Sequence, residues 1–432
     1  MTEPTTIPGA ATELPVSTMA KGLVGSEILK IAAEIRAKIA AGQNVVNLTV
    51  GDFKPAVFGI PGVLKAAIAE AYEKGETNYP PSDGVPELRQ AIRQFYIDRL
   101  GLDYPLGSIV AAGGVRPVIY CTYRTLLDPG DTLAYPVPSW NNNHYAWLVG
   151  AKGQPIIARR ETNFLPTAVD LKPYLGGTRV LILNSPLNPA GTAYGEDELT
   201  KIVELILDEN GRRAASGHPP LMLLYDQVYW MLTFGTTRHI TPVAIDERMR
   251  DYTVFTDGMS KAFAATGLRV GWVVGPEKVM KPLSDILGHV GAWAPRPEQI
   301  ACAKFLGDTA NLDAYSTCLK HGIEKRLVTL HEGFEAMRQD GYPVESIAPQ
   351  GAIYLSARIN LIGRTIGGVK LDTNEQIRQL LLEKAGMAVV PFQAFGLKEE
   401  TGWFRLSVGA LAATDLDGLF PRLREVLAEA RG

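Results

Sequence analysis

The stretch Asp257-Gly258-Met259-Ser260-Lys261-Ala262-Phe263-Ala264-Ala265-Thr266-Gly267-Leu268-Arg269-Val270-Gly271 decides how the rest of the chain is read. Residues 252–256 lead into it as a β-branched and aromatic run, and residues 268–274 leave it as an apolar run. If the first run is a central strand, Lys261 stands in a loop at that strand's carboxyl end, where open α/β sheets bind ligands. A lysine there can act as an amine nucleophile and form a Schiff base. Arg269 carries a planar fork that suits a phosphate. The same residues also read as an ordinary glycine-flanked turn, so the partners elsewhere in the chain decide between the two.

Working outward, residues 109–112, 132–135, 180–183 and 221–225 are short apolar runs. Helical patterns at 116–127 and 199–210 alternate with them. Such alternation predicts a mainly parallel sheet covered on both faces by helices. The expected fold is α/β: a seven-stranded-type sheet sandwiched by helices in a large domain, with a smaller α+β domain beside it. A long helix is expected over 312–340, followed by strands at 352–359, 387–390 and 403–408 and helices at 373–384 and 416–429. Ahead of the parallel pattern, residues 26–41 read as a helix, 45–50 as a short strand, and 61–74 and 85–100 as helices. The expected division is 58–324 for the large domain, 20–57 with 325–432 for the small one, and 1–19 for an N-terminal arm.

A net charge of −3 argues against a nucleic-acid binder driven by bulk electrostatics. The cysteines Cys121, Cys302 and Cys318 form no CxxC pair, so structural zinc is not expected and a reducing compartment is. The first fifteen residues lack a basic start followed by an apolar run, and no run is long enough for a membrane span. A cytoplasmic protein is expected, with neither a membrane nor a nucleic acid as partner.

Further clusters stand at expected strand ends. Gly113-Gly114-Val115-Arg116 opens a helix whose free N–H groups favour a phosphate. Trp140, in Pro136-Val137-Pro138-Ser139-Trp140, can stack on a planar ring. Asn188 lies in Asn184-Ser185-Pro186-Leu187-Asn188-Pro189-Ala190-Gly191, where an Asn-Pro peptide is open to the cis form. Asp226 ends the apolar run 221–225, with Tyr229 close behind. A carboxylate there calls for a cationic partner. Arg405 sits inside Trp403-Phe404-Arg405-Leu406-Ser407 and calls for an anion. Each cluster has a plain structural reading as turn, core aromatic or internal ion pair. Together they supply an amine, a phosphate cradle, a ring plate, hydrogen-bonding Asn and Tyr, and a carboxylate, which are the needs of pyridoxal phosphate.

The order and identity of these residues resemble class I/II aminotransferases of the fold-type I pyridoxal-phosphate family, in the aspartate-aminotransferase-like branch, over roughly residues 25 to 430. The resemblance implies pyridoxal 5'-phosphate held in a Schiff base by Lys261. It implies a phosphate site of Gly114, Val115, Arg116, Ser260 and Arg269, with Tyr79 reaching the phosphate of a neighbouring subunit. Trp140 would stack on the ring, Asn188 and Tyr229 would bond its phenolic oxygen, and Asp226 would pair with its nitrogen. Gly51, Trp140, Asn188 and Arg405 would meet the substrate, with Arg405 on the α-carboxylate. Lys261, Asp226 and Tyr229 are the expected catalytic residues, and no metal is expected. The implied activity is ping-pong transfer of an amino group between an L-amino acid and a 2-oxo acid, with aspartate or glutamate and 2-oxoglutarate favoured, in a homodimer with shared sites. A pyridoxal-phosphate β-lyase or decarboxylase would use the same cofactor residues. A serine hydrolase reading of Gly258-Met259-Ser260 fails at Ala262, where a second glycine is needed. Three places depart from the branch's usual pattern: Gly258, where Ser or Thr is common; Asp52-Phe53 after Gly51, where Glu-Pro is common; and Phe392-Gln393 after Pro391. Arg296 and Arg116 are the candidate cations for a distal substrate carboxylate.

Overall fold

The computed structural model describes residues 15–25 and 27–430. Most of the expected N-terminal arm, and Ser26 at the head of the first expected helix, lie outside them.

Seven strands form the large sheet: β1 (Ile109–Ala112), β2 (Thr132–Val137), β3 (Lys152–Ile157), β4 (Val180–Asn184), β5 (Met222–Asp226), β6 (Thr253–Gly258) and β7 (Gly271–Val274). Their order is β1-β7-β6-β5-β4-β2-β3. Neighbours pair in parallel except β7, which runs antiparallel to both β1 and β6. The near-continuous apolar runs of β1, β4 and β5 follow from burial on both faces. β3 was not anticipated from sequence, because Lys152, Gln154 and Pro155 break the apolar signal. It lies at the edge of the sheet, where a proline is tolerated because that N–H need not join a ladder.

The smaller sheet is antiparallel, with strands β8 (Val344–Ser346), β9 (Tyr354–Ile359), β10 (Val390–Pro391) and β11 (Trp403–Ser407) in the order β10-β11-β9-β8. The run 387–390, expected as one strand, divides. Met387–Ala388 pairs with Val46–Asn47, and Val390–Pro391 pairs with β11. The expected strand over 45–50 is correspondingly only two residues long. Four helices of eight or more residues escaped the sequence reading, Asn142–Val149, Ala168–Leu175, Glu277–Val290 and Arg296–Leu306, as did the shorter Thr18–Gly22, Pro242–Ile245 and Met259–Ala262, the last of which carries Lys261.

The 31-residue helix Thr309–Gln339 carries its apolar side, Ile323, Leu327, Leu330 and Phe334, into the core of the smaller sheet. The helix Glu27–Ala40 reaches both bodies. Ile31 and Ile35 join the core that contains the large sheet. Glu34 accepts a hydrogen bond from the buried Arg378 at 2.8 Å. Among the described residues no helix is long and apolar enough to cross a membrane.

Candidate active site

The parallel strands deliver their carboxyl ends to one edge of the large sheet, and β7 begins there because it runs the other way. The loops after β1, β2, β4, β5 and β6 therefore meet at one place, which is why residues far apart in sequence become neighbours. Gly258 pairs with Gly271 across β6 and β7. A Cβ on Gly258 would lie 2.8 Å from Gly271 Cα and 2.9 Å from Val270 O. The glycine that departs from the family pattern is thus required by strand packing. A Cβ on Gly267, by contrast, would meet open space.

The helix Val115–Leu126 starts at this edge, and its cap, Gly114, has φ 99° and no side-chain cap. Its first N–H groups are left for an anion. Arg269 closes over the same turn, donating from Nη1 to Thr266 O at 2.8 Å and from Nη2 to Gly113 O at 3.0 Å. Neither contact is to a carboxylate, and among the described residues Arg269 forms no ion pair. Ser260 is buried one residue before Lys261.

Lys261 Nζ donates to Gly51 O at 2.6 Å. It also lies 5.9 Å from the ring centres of Phe53 and Tyr229. Burial, then the nearby Arg405, Arg116 and Arg269, pull its pKa down to about 8, while Asp52 opposes them. A free amine is therefore accessible near neutral pH, as a nucleophile or proton acceptor requires.

Asp226 accepts from Val228 N at 3.2 Å and Thr256 Oγ1 at 3.3 Å, both through Oδ1. Burial pushes its pKa up to about 6. The cationic partner expected from the sequence is not a protein side chain: among the described residues no Lys, Arg or His forms an ion pair with Asp226. That leaves a place for a cationic nitrogen from a bound group.

Asn184 brackets the ends of β4 and β5, a role not assigned from sequence. Its Nδ2 donates to Asp226 O at 2.7 Å, and its Oδ1 accepts Asn188 N at 2.8 Å. The Asn188–Pro189 peptide is cis, as are Ser185–Pro186 and Val137–Pro138. Asn188 Oδ1 accepts from Arg405 Nη1 at 3.2 Å. Arg405 also donates from Nη2 to Thr49 O at 2.7 Å. It is 2% exposed, and its buried Nε has no partner. Tyr354 and Phe395 lie against its guanidinium, with ring centres at 4.6 and 4.9 Å. Burial lowers its pKa. A buried guanidinium without a carboxylate is costly, and an anion entering the site would offset that cost.

Tyr229 shares a hydroxyl–hydroxyl hydrogen bond of 2.7 Å with Tyr354, which the sequence reading also missed. A Cβ built on Gly51 would lie 3.0 Å from the Tyr354 hydroxyl and 3.5 Å from Arg405 Nη1. Gly51 therefore stands between the lysine and the arginine.

The remaining expected residues lie around this centre. Trp140 packs edge-on to Tyr145 at 6.4 Å and carries Arg116 over its ring at 4.4 Å. Arg116 forms no ion pair among the described residues. Arg296 does pair, with Glu76 at 2.7 Å, so its charge is already compensated. Tyr79 is 82% exposed and meets Trp293 edge-on at 5.3 Å, on the wall of a groove of about 490 Å³ that Arg296 also lines. Phe392, at one of the departures from the branch's pattern, is fully buried against Phe164 at 4.9 Å, and so belongs to the core.

Comparison with known proteins agrees with this arrangement. Residues 43–423 match the model of the family described as aminotransferase class I and II. The chain belongs to that family. It is 31% identical over 376 residues to a probable aspartate/prephenate aminotransferase of Rhizobium leguminosarum bv. phaseoli, covering 86% of this chain and 89% of the relative. The aspartate aminotransferase of Rhizobium meliloti strain 1021 is 31% identical over 388 residues, covering 88% and 89%. The crystal structure of the Rhizobium meliloti aspartate aminotransferase superposes with a TM-score of 0.86 at 28% identity, covering 96% of this chain and 99% of that one. An aromatic aminotransferase from Pyrococcus horikoshii OT3 superposes at 0.79 with 26% identity, covering 92% and 99%. The protein is an aminotransferase, and members of its family use pyridoxal 5'-phosphate. The residues present fit that group: an uncapped helix start beside Arg269 for a phosphate, an uncompensated Asp226 for a ring nitrogen, and Lys261 for an aldehyde.

Proposed function

We propose that the protein moves an amino group from an L-amino acid to a 2-oxo acid by a ping-pong cycle, with aspartate or glutamate and 2-oxoglutarate as the favoured substrates. The observation that carries this reading is the meeting of two cations at Gly51. Lys261 Nζ is bonded to its carbonyl, and the buried Arg405, which pairs with no carboxylate among the described residues, would lie 3.5 Å from a Cβ built there.

Gly114, Val115, Arg116, Ser260 and Arg269 would hold the phosphate of pyridoxal 5'-phosphate. Trp140 would hold its ring face, Asn188 and Tyr229 its phenolic oxygen, and Asp226 its nitrogen. When bound, the group supplies an aldehyde that accepts an amine and a ring that withdraws electrons from Cα. Arg405 grips the substrate α-carboxylate through its fork and fixes the orientation of the Cα–H bond. The Lys261 amine, once free, would take that proton and give it up to the former aldehyde carbon of the bound group. Asp226 would hold a proton on the ring nitrogen of that group, and Tyr229 would donate to its phenolic oxygen. With its backbone N–H given to the phosphate, Arg116 would have its guanidinium for a distal carboxylate, since Arg296 is engaged by Glu76. The exposed Tyr79 supports a homodimer in which it reaches the phosphate of a second copy. Residues 58–324 form the cofactor-binding domain in this reading, with 20–57 and 325–432 as the smaller one.

A panel of amino donors against 2-oxoglutarate tests the substrate. Aspartate and glutamate should be the best donors, and activity confined to aromatic or aliphatic donors would overturn the acidic assignment. Borohydride treatment of the loaded protein should fix the cofactor on Lys261.

A further inference from the structure

The segment that carries Gly51 is clasped to the lysine loop at two points. One is the Lys261 Nζ bond to Gly51 O at 2.6 Å. The other is a side-chain pair: Thr266 Oγ1 donates to Asp52 Oδ1 at 2.6 Å. The same Asp52 oxygen accepts Phe53 N at 2.7 Å. Thr266 in turn offers its carbonyl to Arg269 Nη1 at 2.8 Å. On the other side, Lys54 N donates to Gly409 O at 3.1 Å, just past β11, and Thr49 O accepts from Arg405. Asp52 therefore stands where the substrate-side segment, the lysine loop and the phosphate-side arginine are joined.

The charges make Asp52 distinctive. The charged groups acting most strongly on Lys261 are Asp52, Arg405 from β11, Arg116 from the helix Val115–Leu126 and Arg269 from the loop before β7. Three are cations that disfavour a charged lysine. Asp52 is the carboxylate that favours it, and it forms no ion pair with an arginine, lysine or histidine among the described residues. The aromatic rings of Phe53 and Tyr229 complete the surroundings of the amine. Asp52 also falls where the chain departs from the pattern of the branch it resembles.

We propose that Asp52 is a positioning residue, which holds the Gly51 segment over Lys261 through Thr266 and supplies the counter-charge to the lysine. The proposal rests on Lys261 being the reactive amine. Two variants separate the two roles. Asp52→Asn keeps an oxygen for Thr266 and removes the charge. Thr266→Val keeps the charge and removes the bond.

Reductive methylation of the cofactor-free protein with formaldehyde and cyanoborohydride, followed across pH by mass spectrometry of the Lys261 peptide, reads the amine directly. Asp52→Asn should lower the midpoint by about 1 unit, and Thr266→Val should leave it in place. In the loaded enzyme Thr266→Val should raise KM for the amino donor roughly fivefold with a smaller change in kcat, and Thr266→Ser should restore it. An unchanged midpoint in Asp52→Asn overturns the counter-charge, and an unchanged KM in Thr266→Val overturns the tether. Because the methylation needs neither cofactor nor turnover, it is read even if the wild-type protein fails as an aspartate or glutamate transaminase. That failure would count against the substrate assignment alone.

Discussion

The hydroxyls of Tyr229 and Tyr354 lie 2.7 Å apart, both buried, in the wall that faces Lys261 and Arg405. Tyr229 follows the end of β5 in the large sheet and Tyr354 begins β9 in the small one, so this hydrogen bond joins the two bodies inside the site, beside that of Arg405 with Asn188. Burial and the neighbouring hydroxyl hold the Tyr229 phenol well above its usual pKa, which keeps it a neutral donor. Tyr354→Phe leaves that hydroxyl with one partner fewer. The expected outcome is a kcat lower by about 5–30-fold, equivalent to about 1–2 kcal/mol, with KM for the donor less affected. Steady-state kinetics checks this, and an unchanged kcat would mean that the pair is only packing.

Arg405 should behave as a site residue rather than a core one. Arg405→Met removes a buried cation that has no carboxylate partner, so the cofactor-free protein should be as stable as wild type or more so. KM for the amino donor should rise by roughly 10–100-fold, the loss of a charge-assisted pair. Urea midpoints and initial rates measured together distinguish this from a structural arginine, whose loss would lower both stability and activity.

The pH dependence of stability should carry the signature of Lys261. Its folded pKa of about 8 lies below the ordinary lysine value of 10.5, so between these values the unfolded chain binds more protons. Stability of the cofactor-free protein should therefore rise with pH from this group across that window, by roughly 3 kcal/mol in all. Lys261→Met should remove the rise and be the more stable protein at pH 7. Urea titrations at pH 7 and pH 10 measure it, and an equal slope in both proteins would show that Lys261 is not the source.

Two glycines near the lysine should respond differently to alanine. Gly258→Ala places a Cβ against the backbone of Gly271 and Val270, which cannot move without opening β6 from β7. A loss of about 1–3 kcal/mol is expected, the usual range for overpacking. Gly267→Ala meets open space and should stay within about 0.5 kcal/mol of wild type. Thermal unfolding of the two variants settles whether Gly258 is there for the strands.

Much of this site was legible from the chain because strand ends announce themselves. An apolar run that stops at Asp226, Asn184 or Lys261 marks both the sheet and the loop that leaves it. The buried strands were legible for the same reason, whereas the edge strand β3 was not, since half-exposed residues need no apolar run. The helices Glu277–Val290 and Arg296–Leu306 carry prolines, Pro282 inside the first and Pro297 at the start of the second, which break a helical pattern in sequence.

By itself, then, the sequence determined the alternation of buried strands and helices, the lysine at a strand end and the set of polar residues around it. These follow from local pattern: burial period, turn chemistry and the residue types that a buried strand tolerates. Only the tertiary structure decided which polar residues pair. It gave Arg296 to Glu76 and left Arg405 and Asp226 without ion-pair partners among the described residues; it joined Tyr229 to Tyr354 and Asp52 to Thr266. Those contacts join residues more than 100 positions apart, and a hydrogen bond depends on separations of a few tenths of an ångström that no local pattern encodes.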